Sequence, residues 1–413
     1  MDRLKDAIAA IWRIESPKII ARLSRITRDV GRAEDLAQDA FVLALAQWPN
    51  EGIPRNPGAW LMTVAKRRAV DALRRSETIA RKTQDIAREL VSQTADYDLA
   101  DDADGIDDDL LRLMFVACHP LLSKEARVAL TLKLLGGLST VEIARAFLTS
   151  EPAIAQRIVR AKRTLSEARV PFEVPSGSER LQRLASVLEA IYLIFNEGYA
   201  ATTGDDILRP ELVEDALRLG RMLAALMPAE GEVFGLVALM EIQASRMRAR
   251  IGPAGEAILL LDQDRGKWNR LLIGRGLAAL ARAEKFGALG PYGLQAAIAA
   301  CHARAATAEQ TDWTRIVALY DALVRVLPTP VVALNRAVAI GMAFGPQDAL
   351  EIVDELRAEP SLRSYHLLPA VRGDLLAKSG RAAEAILEFE RAAALARNGR
   401  ERAALLARAA DCG

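Results

Sequence analysis

Two clusters of basic residues have the chemistry to bind phosphate groups. Residues 157–163 contain four arginine or lysine side chains and no carboxylate. Residues 54–75 contain six basic side chains and the single carboxylate of Asp71. Such clusters neutralise the phosphates of nucleic acids, but a helix with a solvated basic face has the same composition. Each cluster alone therefore leaves DNA binding open.

The later cluster lies in the stretch "LSTVEIARAFLTSEPAIAQRIVRAKRTL", residues 138–165, whose pattern predicts two helices joined by a tight turn. Ser139 and Glu142 have the spacing of a capping box, and Ser150 with Pro152 predicts the start of the second helix. The residues expected to face inward from the first helix are Val141, Ala144 and Phe147 or Leu148. Those expected to face inward from the second helix are Ile154, Ile158, Ala161 and Leu165. The polar residues expected to project outward are Glu151, Gln156, Arg157, Arg160 and Arg163. A recognition helix in a DNA major groove needs this division into an apolar and a hydrogen-bonding face.

The earlier cluster lies on a helix that Asn56 and Pro57 are predicted to open. Its apolar face is expected to contain Leu61, Ala65, Ala69, Ala72 and Leu73. Trp48 and Trp60 flank the preceding loop, and they are either core anchors or apolar wedges beside DNA. Upstream, Ser16 and Pro17 predict the start of a helix that Gly31 ends. A further helix is predicted over "RAEDLAQDAFVLALAQW".

The elements that hold these clusters are predicted to be helices throughout. The chain of 413 residues is rich in alanine, leucine and arginine and lacks runs of β-branched residues, which favours an all-α protein. Residues 96–109 contain eight aspartates, a composition typical of a mobile linker. The predicted domains are residues 1–76, a linker over 77–109, residues 110–170 and, after a proline-containing break, residues 179–413.

The region 179–413 is predicted to be a series of amphipathic helices with a weak internal repeat. Gly373, Ala385, Phe389 and Ala392 have the spacing of a tetratricopeptide (TPR) helix pair. Residues 334–356 match that pattern more loosely. These two units favour a TPR-like array of helical hairpins.

Several classes of function find no support in the sequence. Nucleophile, base and orienting residue occur nowhere at a recognisable catalytic spacing, so we expect no enzyme and no cofactor. The pairs Cys118–His119 and Cys301–His302 lack the spacing of a zinc site, so no metal is expected. The charged start "MDRLKDAIAA" does not resemble a signal peptide, and no membrane span is predicted. Three scattered cysteines suit the cytoplasm.

Taken together, residues 1–169 resemble the extracytoplasmic-function (ECF) class of bacterial RNA polymerase sigma factors. The matching motifs, in the order of that family, are "AEDLAQDAF" (33–41), "WLMTVAKRRAVDALRR" (60–75) and "GLSTVEIARAFLTSEPAIAQRIVRAKRTL" (137–165). The resemblance implies a sigma-2 domain and a helix-turn-helix sigma-4 domain that share promoter recognition. The implied partners are promoter DNA and core RNA polymerase, the latter through the clamp helices of β′ and the β flap.

The resemblance also implies roles for particular residues. The residues implied in polymerase binding are Asp35, Leu36, Gln38, Asp39 and Phe41. The loop 49–58 and the helix after it are implied to open and bind the −10 element, through Trp60, Lys66, Arg67, Arg74 and Arg75. The residues implied in −35 binding are Gln156, Arg157 and Arg160, with Lys162 and Arg163 on phosphates. Two departures stand out: Arg67 occupies a position where the family often has asparagine, and residues 152–155 replace a common Gly-Thr-Val-Lys pattern.

Five further motifs occur after residue 179: "YLIFNEGYAATTGDD" (192–206), "LDQDRGKWNRLLI" (261–273), "GPYGLQAAIAACHA" (290–303), "TDWTRIVALYDAL" (311–323) and "LNRAVAI" (334–340). Through them, residues 179–413 resemble the long C-terminal extension of one group within this class. The resemblance implies that the extension regulates the sigma domains through intramolecular contacts, without a membrane partner. Polar and aromatic residues within its apolar helices form either a ligand pocket or ordinary buried hydrogen bonds: Asn196, Glu197, Tyr199, Asp262, Asp264, Arg265, Trp268 and Trp313. The alternative to a sigma factor is a helix-turn-helix regulator that works without polymerase and binds a ligand through this region.

Overall fold

A computed structural model describes residues 2–84, 106–200, 208–253, 256–396 and 398–413. Within these residues the regular structure is helical, apart from an isolated β-bridge between Ile251 and Ala257. This confirms the all-α prediction. The chain forms two compact units, Met1–Ile191 and Tyr192–Gly413, and each is described by itself.

The first unit contains seven complete helices and the first part of an eighth among its described residues. They are α1 (Asp2–Thr27), α2 (Val30–Glu51), α3 (Pro57–Gln84), α4 (Ile106–Ala117), α5 (Lys124–Leu134), α6 (Thr140–Ala146), α7 (Glu151–Glu167) and α8 (Gly177–Tyr199). α1 packs on α2, α3 and α4, and α7 packs on α2, α5 and α6. Helices from both predicted sigma domains therefore lie in one compact unit.

The predicted helix start at Ser16 and Pro17 is wrong, because α1 continues through both residues. A proline inside a helix removes one hydrogen bond and costs about 3 kcal/mol. Ile8 before the proline and Ile19, Ile20 on the other side are all buried. Burial on both sides of Pro17 offsets that cost and keeps one continuous helix.

The predicted linker is helical at both of its described ends. α3 continues to Gln84, and α4 begins at Ile106, while residues 85–105 lie outside the described part of the chain. Asp107 and Asp108 occupy the first turn of α4, where carboxylates interact favourably with the helix dipole. Part of the acidic run therefore stabilises a helix start.

The second unit contains the rest of α8 and ten further helices in its described residues. They are α9 (Pro210–Leu226), α10 (Gly231–Ala244), α11 (Arg270–Glu284), α12 (Pro291–Arg304), α13 (Trp313–Val326), α14 (Pro330–Phe344), α15 (Pro346–Leu356), α16 (Leu367–Lys378), α17 (Ala382–Leu395) and α18 (Gly399–Asp411). Short 3-10 helices occur at Met247–Ala249, Arg265–Lys267 and Pro360–Leu362.

The TPR-like packing predicted for residues 371–395 is present between α16 and α17. Ala385, Phe389 and Ala392 are buried. A Cβ atom placed on Gly373 would lie 3.0 Å from the ring of Phe389, so the glycine allows close approach of the two helices. α14 and α15 form a second hairpin, in which Ala349 is fully buried. The C-terminal unit is thus a TPR-like helical array.

Candidate nucleic-acid interface

The helix-turn-helix consists of α6 and α7. The capping box is confirmed: the Ser139 Oγ accepts from the backbone N–H of Glu142 at 3.2 Å, and the Ser139 N–H donates to the Glu142 carboxylate at 2.7 Å. Ser150 occupies the N-cap position of α7, but its side chain makes no capping hydrogen bond. The predicted inward position of Val141 is wrong, because Val141 is 55% exposed while Ile143 is fully buried.

The predicted apolar face of α7 is confirmed. Ile154, Ile158, Ala161 and Leu165 are all buried. On the opposite face Gln156, Val159 and Arg160 are exposed, and Arg157 is half-buried. Val159, which the sequence pattern did not single out, is 62% exposed and lies next to Arg160. An exposed apolar side chain there can contact the methyl group of thymine.

Lys162 and Arg163 are adjacent in sequence but point in different directions. Arg163 donates to Glu167 at 2.6 Å in a pair whose side chains are 76% and 63% exposed, so it can reorient toward a phosphate at little cost. Lys162 is only 19% exposed and pairs with Glu34 of α2. Lys133 of α5 contacts the same carboxylate at 3.5 Å. In this structure Lys162 therefore faces protein.

Further polar contacts hold the helices of the two predicted sigma domains together. The Asp109 carboxylate is fully buried and lies 3.2 Å from Arg22 and 3.7 Å from Arg25, both on α1. The Ser166 hydroxyl of α7 donates to the Asp29 carboxylate before α2 at 2.9 Å. The buried Asp109 was assigned from sequence to the acidic linker, but here it connects α4 to α1.

The predicted −10 residues lie on and before α3. The Asn56 side chain accepts from the Ala59 N–H at 3.0 Å and caps the helix. Trp48 is a buried core residue, whereas Trp60 is half-buried and packs edge-on against it at 5.3 Å between ring centroids. Gly52, at φ 84°, ends α2 and begins the loop.

The basic face of α3 is exposed to solvent over part of its length. Arg67 and Arg74 are exposed and Lys66 is half-buried. The side chain of Arg75 lies outside the described residues. Arg68 donates to Asp39 of α2 at 2.8 Å, so one of the predicted polymerase-binding carboxylates is paired with the basic helix.

The predicted polymerase-binding residues on α2 divide into exposed and supporting positions. Asp35 and Asp39 are exposed and Leu36 is half-buried. Gln38 donates to Glu34 at 2.6 Å, and Phe41 stacks on Trp12 of α1 at 4.6 Å. Val42 and Leu45, which the sequence pattern did not single out, are 63% and 40% exposed on the same helix. The signal available in the sequence was their helical spacing, seven and ten positions after Asp35. This face of α2 therefore combines exposed acidic and exposed apolar side chains.

The first part of α8, which was assigned from sequence to the extension, packs within the first unit. Arg183 is buried, lies over the Phe115 ring and donates to the Phe115 carbonyl oxygen at 3.2 Å. Glu189 accepts from Lys124 at 2.6 Å and from Arg127 at 3.0 Å. Residues up to Ile191 therefore belong to the first compact unit.

The cysteine–histidine pairs have local packing roles. Cys118 lies 3.2 Å from the Thr131 hydroxyl, and burial raises the pKa of its thiol to about 11. His302 packs edge-on against Trp313. Across the described residues no three His, Cys, Asp or Glu side chains are grouped to hold a metal ion. In the same residues, no helix combines the length and hydrophobicity of a membrane span.

Three regions of the chain match known protein families. Residues 11–78 match Sigma-70 region 2, and residues 112–165 match Sigma-70, region 4. Residues 183–284 match a family of unknown function, DUF6596. The two sigma matches contain the three sequence motifs described above.

Individual relatives agree with these matches. The chain is 46% identical over 391 residues to the uncharacterized protein R00370 of Rhizobium meliloti (strain 1021), covering 94% of this chain and 91% of that protein. It is 29% identical over 177 residues to "Probable ECF RNA polymerase sigma factor SigI" of Mycobacterium tuberculosis, covering 43% of this chain and 60% of SigI. It is 29% identical over 161 residues to ECF RNA polymerase sigma factor SigK of Mycobacterium sp. (strain KMS), covering 38% of this chain and 80% of SigK. Among solved structures, yeast Tom70 covers 97% of the chain at 13% identity with a TM-score of 0.33.

Proposed function

The chain belongs to the ECF family of RNA polymerase sigma factors, in a form with a long helical C-terminal extension, and from this premise we propose that it directs core polymerase to promoters under the control of that extension. The observation that carries this proposal is the pair of exposed polar faces, on α3 and on α7, held in one compact unit. Either face alone fits DNA binding and simple solvation equally well. Two such faces in one chain, however, match the two elements of a promoter, −10 and −35.

The match of residues 11–78 to Sigma-70 region 2 supports a −10 role for α3, and the match of residues 112–165 to Sigma-70, region 4 supports a −35 role for α7. We assign −10 binding to Trp60, Lys66, Arg67, Arg74 and Arg75, and −35 binding to Gln156, Arg157, Arg160, Lys162 and Arg163. α2 docks on the clamp helices of β′ through Asp35 and Asp39 with the exposed Val42 and Leu45, and the sigma-4 region docks on the β flap. The phosphodiester chemistry belongs to the polymerase, so this chain needs neither a catalytic residue nor a cofactor. Core polymerase and promoter DNA lie in the bacterial cytoplasm, where we place this activity.

The contacts between α2 and α7 make the described arrangement a closed one. The −10 and −35 elements are separated by roughly 25 base pairs, or ~85 Å of duplex at ~3.4 Å per base pair. α3 is about 42 Å long and α7 about 25 Å long, at 1.5 Å per residue. Two faces joined through direct contacts with α2 cannot span that distance. Promoter binding by both faces therefore requires the Glu34–Lys162 contact between α2 and α7 to break.

We assign control of this opening to the extension. α8 begins in the first unit, where Arg183 and Glu189 contact α4 and α5, and the same helix continues into the extension. This direct connection supports intramolecular regulation of the sigma-4 region. A truncation that tests this control must keep α8 up to Ile191, because an earlier cut removes contacts within the first unit. Changed transcription from a chain ending at Tyr199 is the expected result, and unchanged output would exclude control by the remainder of the extension.

In vitro transcription tests the proposed function directly. The full chain and the chain ending at Tyr199 are each combined with core polymerase and a cognate promoter, and at least one is expected to initiate transcription. Failure of both would refute the proposal. Asp35→Lys is expected to abolish polymerase binding in a pull-down while DNA binding is retained. Unchanged polymerase binding would instead favour a regulator that acts without polymerase.

A further inference from the structure

Three arginines surround two aromatic rings in the second unit. Arg246 lies 5.8 Å from the ring centroids of both Tyr199 and Trp268. Arg250 lies over the Tyr199 ring at 3.9 Å, and Arg265 lies over the Trp268 ring at 5.2 Å. We call these five residues the arginine–aromatic cluster. It lies at the end of α8 and in the connection between α10 and α11.

Arg265 holds the cluster in place against the end of α12. Arg265 is 7% exposed, and its guanidinium donates to the carbonyl oxygens of His302 and Ala305 at 2.8 Å and to the Thr311 hydroxyl at 2.9 Å. Arg265 therefore ties the 3-10 helix before Trp268 to the end of α12. Arg250 donates from its guanidinium to the carbonyl oxygen of Tyr199, whereas the Arg246 side chain forms no hydrogen bond to other described residues.

The cluster is strongly electropositive. Among the described residues, none of its three guanidinium groups forms an ion pair with a carboxylate, and Glu309 and Glu401 act on it only at longer range. Burial and the charges of Arg246 and Arg265 lower the pKa of the neighbouring His302 to about 4. Paired arginines elsewhere in this unit, such as Arg372 with Asp354 at 2.8 Å and Glu388 at 3.0 Å, provide the contrast.

Several buried donors in the cluster have no acceptor among the described residues. They are the Nε atoms of Arg246 and Arg265 and the Nε1 atom of Trp268. Trp268 is only 3% exposed. Buried N–H groups are nearly always hydrogen-bonded in folded proteins, and contact with an aromatic face does not satisfy an in-plane N–H. These three donors lie on neighbouring side chains, where an added acceptor group would satisfy them.

We propose that the arginine–aromatic cluster binds a phosphate-bearing small molecule that also carries a flat ring, the chemistry of a nucleotide. A phosphoryl group offers three acceptor oxygens and up to two negative charges, which suits three donors and three cations better than the two oxygens of a carboxylate. Arginine binds phosphate bidentately and stacks on planar groups. Arg246 and Arg250 are half-buried rather than buried, so they form the side of the cluster that a solute can approach. This binding does not depend on the proposed promoter recognition.

Isothermal titration of the full chain with inorganic phosphate, adenosine monophosphate and adenosine tests the proposal, with tryptophan fluorescence as a second signal. The monophosphate is expected to bind more tightly than inorganic phosphate, and adenosine more weakly than either. Arg246→Gln is the informative variant, because the Arg246 side chain makes no hydrogen bond to other described residues and its loss leaves the fold intact. The expected loss of affinity is about tenfold or more, the value of a hydrogen bond to a charged group.

Arg248→Gln is the matched control. Arg248 is exposed in the 3-10 helix Met247–Ala249, which Arg246 directly precedes. This variant therefore removes the same charge two residues away and is expected to keep affinity within about twofold. Absence of binding by both phosphate-bearing probes at millimolar concentration would overturn the proposal. Equal weakening by the two variants would also overturn it, because general charge attraction would then explain the binding. Melting curves of each variant verify that the compared chains are folded.

Discussion

Replacing Glu34 by glutamine should open the contact between α2 and α7. Glu34 is 2% exposed and holds Lys162 and Lys133 around one carboxylate. The substitution keeps the shape of the side chain and removes its charge. Because Glu34 is buried, the substitution leaves the exposed surface of α2 unchanged, including Asp35, which is proposed to dock on polymerase.

The magnitude follows from the geometry. A charge pair 3.5 Å apart attracts by about 5 kcal/mol at an effective dielectric constant of about 20, but desolvation of both lysines and the carboxylate offsets much of this. Hydrogen bonds to charged groups contribute about 1.5–3 kcal/mol net. Taking about 2 kcal/mol, at 1.4 kcal/mol per factor of ten, the ratio of open to closed chains rises about 30-fold.

DNA binding by the full chain without polymerase measures this change. A chain that must first open has its apparent Kd raised by the reciprocal of its open fraction. Fluorescence anisotropy with a −35 duplex should therefore show up to about 30-fold tighter binding for Glu34→Gln. Glu173→Gln removes an exposed carboxylate after α7 and should stay within about twofold of the unmodified chain.

The outcome that refutes this reasoning is a folded Glu34→Gln chain that binds DNA no more tightly than the Glu173→Gln control. The α2–α7 contact would then impose no cost on DNA binding. Weaker binding with an unchanged melting temperature would show that Glu34 supports the DNA-binding form instead.

Three further predictions concern stability. Ser139→Ala should destabilise the first unit by about 1 kcal/mol in denaturant unfolding, whereas Ser150→Ala, which removes no capping hydrogen bond, should cost less than half as much; equal costs would contradict this. Gly373→Ala should cost about 1–3 kcal/mol through overpacking, whereas Gly274→Ala, with open space around its Cβ, should stabilise by about 0.5–1 kcal/mol; thermal melts test the opposite signs. The folded-state pKa of His302, about 4, lies below its ordinary value, so the unfolded chain binds the extra proton and stability should fall by up to about 3 kcal/mol as the pH drops from 6.5 to 4; His302→Leu should flatten that dependence, and an unchanged slope would contradict it.

Features set by neighbours along the chain were predictable from sequence. The capping box at Ser139 and Glu142 depends on three-residue spacing, and the buried face of α7 depends on helical periodicity. The packing of Phe389 between small residues follows from the same spacing. In each case the contact partners lie within one helix or one hairpin, so the pattern of side chains determines the contact.

Features set by distant partners were not predictable in the same way. Asp109 belongs to an acidic run, and composition alone assigned it to a linker, but its partner Arg22 lies 87 residues upstream. Pro17 lies inside α1 because packing on both sides outweighs its local preference. Arg246 and Arg250 were not candidate site residues, because an arginine in a helical pattern usually indicates a solvated face. Tyr199, Arg265 and Trp268 were candidates, and the structure brings these three together with the two arginines.

Under the proposed promoter binding, the adjacent cations of α7 would allow one helix both to bind DNA and to hold the closed arrangement. Successive residues on a helix differ in direction by about 100°, so Arg163 can face solvent while Lys162 faces Glu34. Arg163 is available to a phosphate at once, whereas Lys162 becomes available only after α7 leaves α2. The same movement frees Gln156 and Arg160 to reach a −35 element far from α3. Separation of the two helices therefore adds a cation to the DNA-binding face in the same step that allows both promoter elements to be bound.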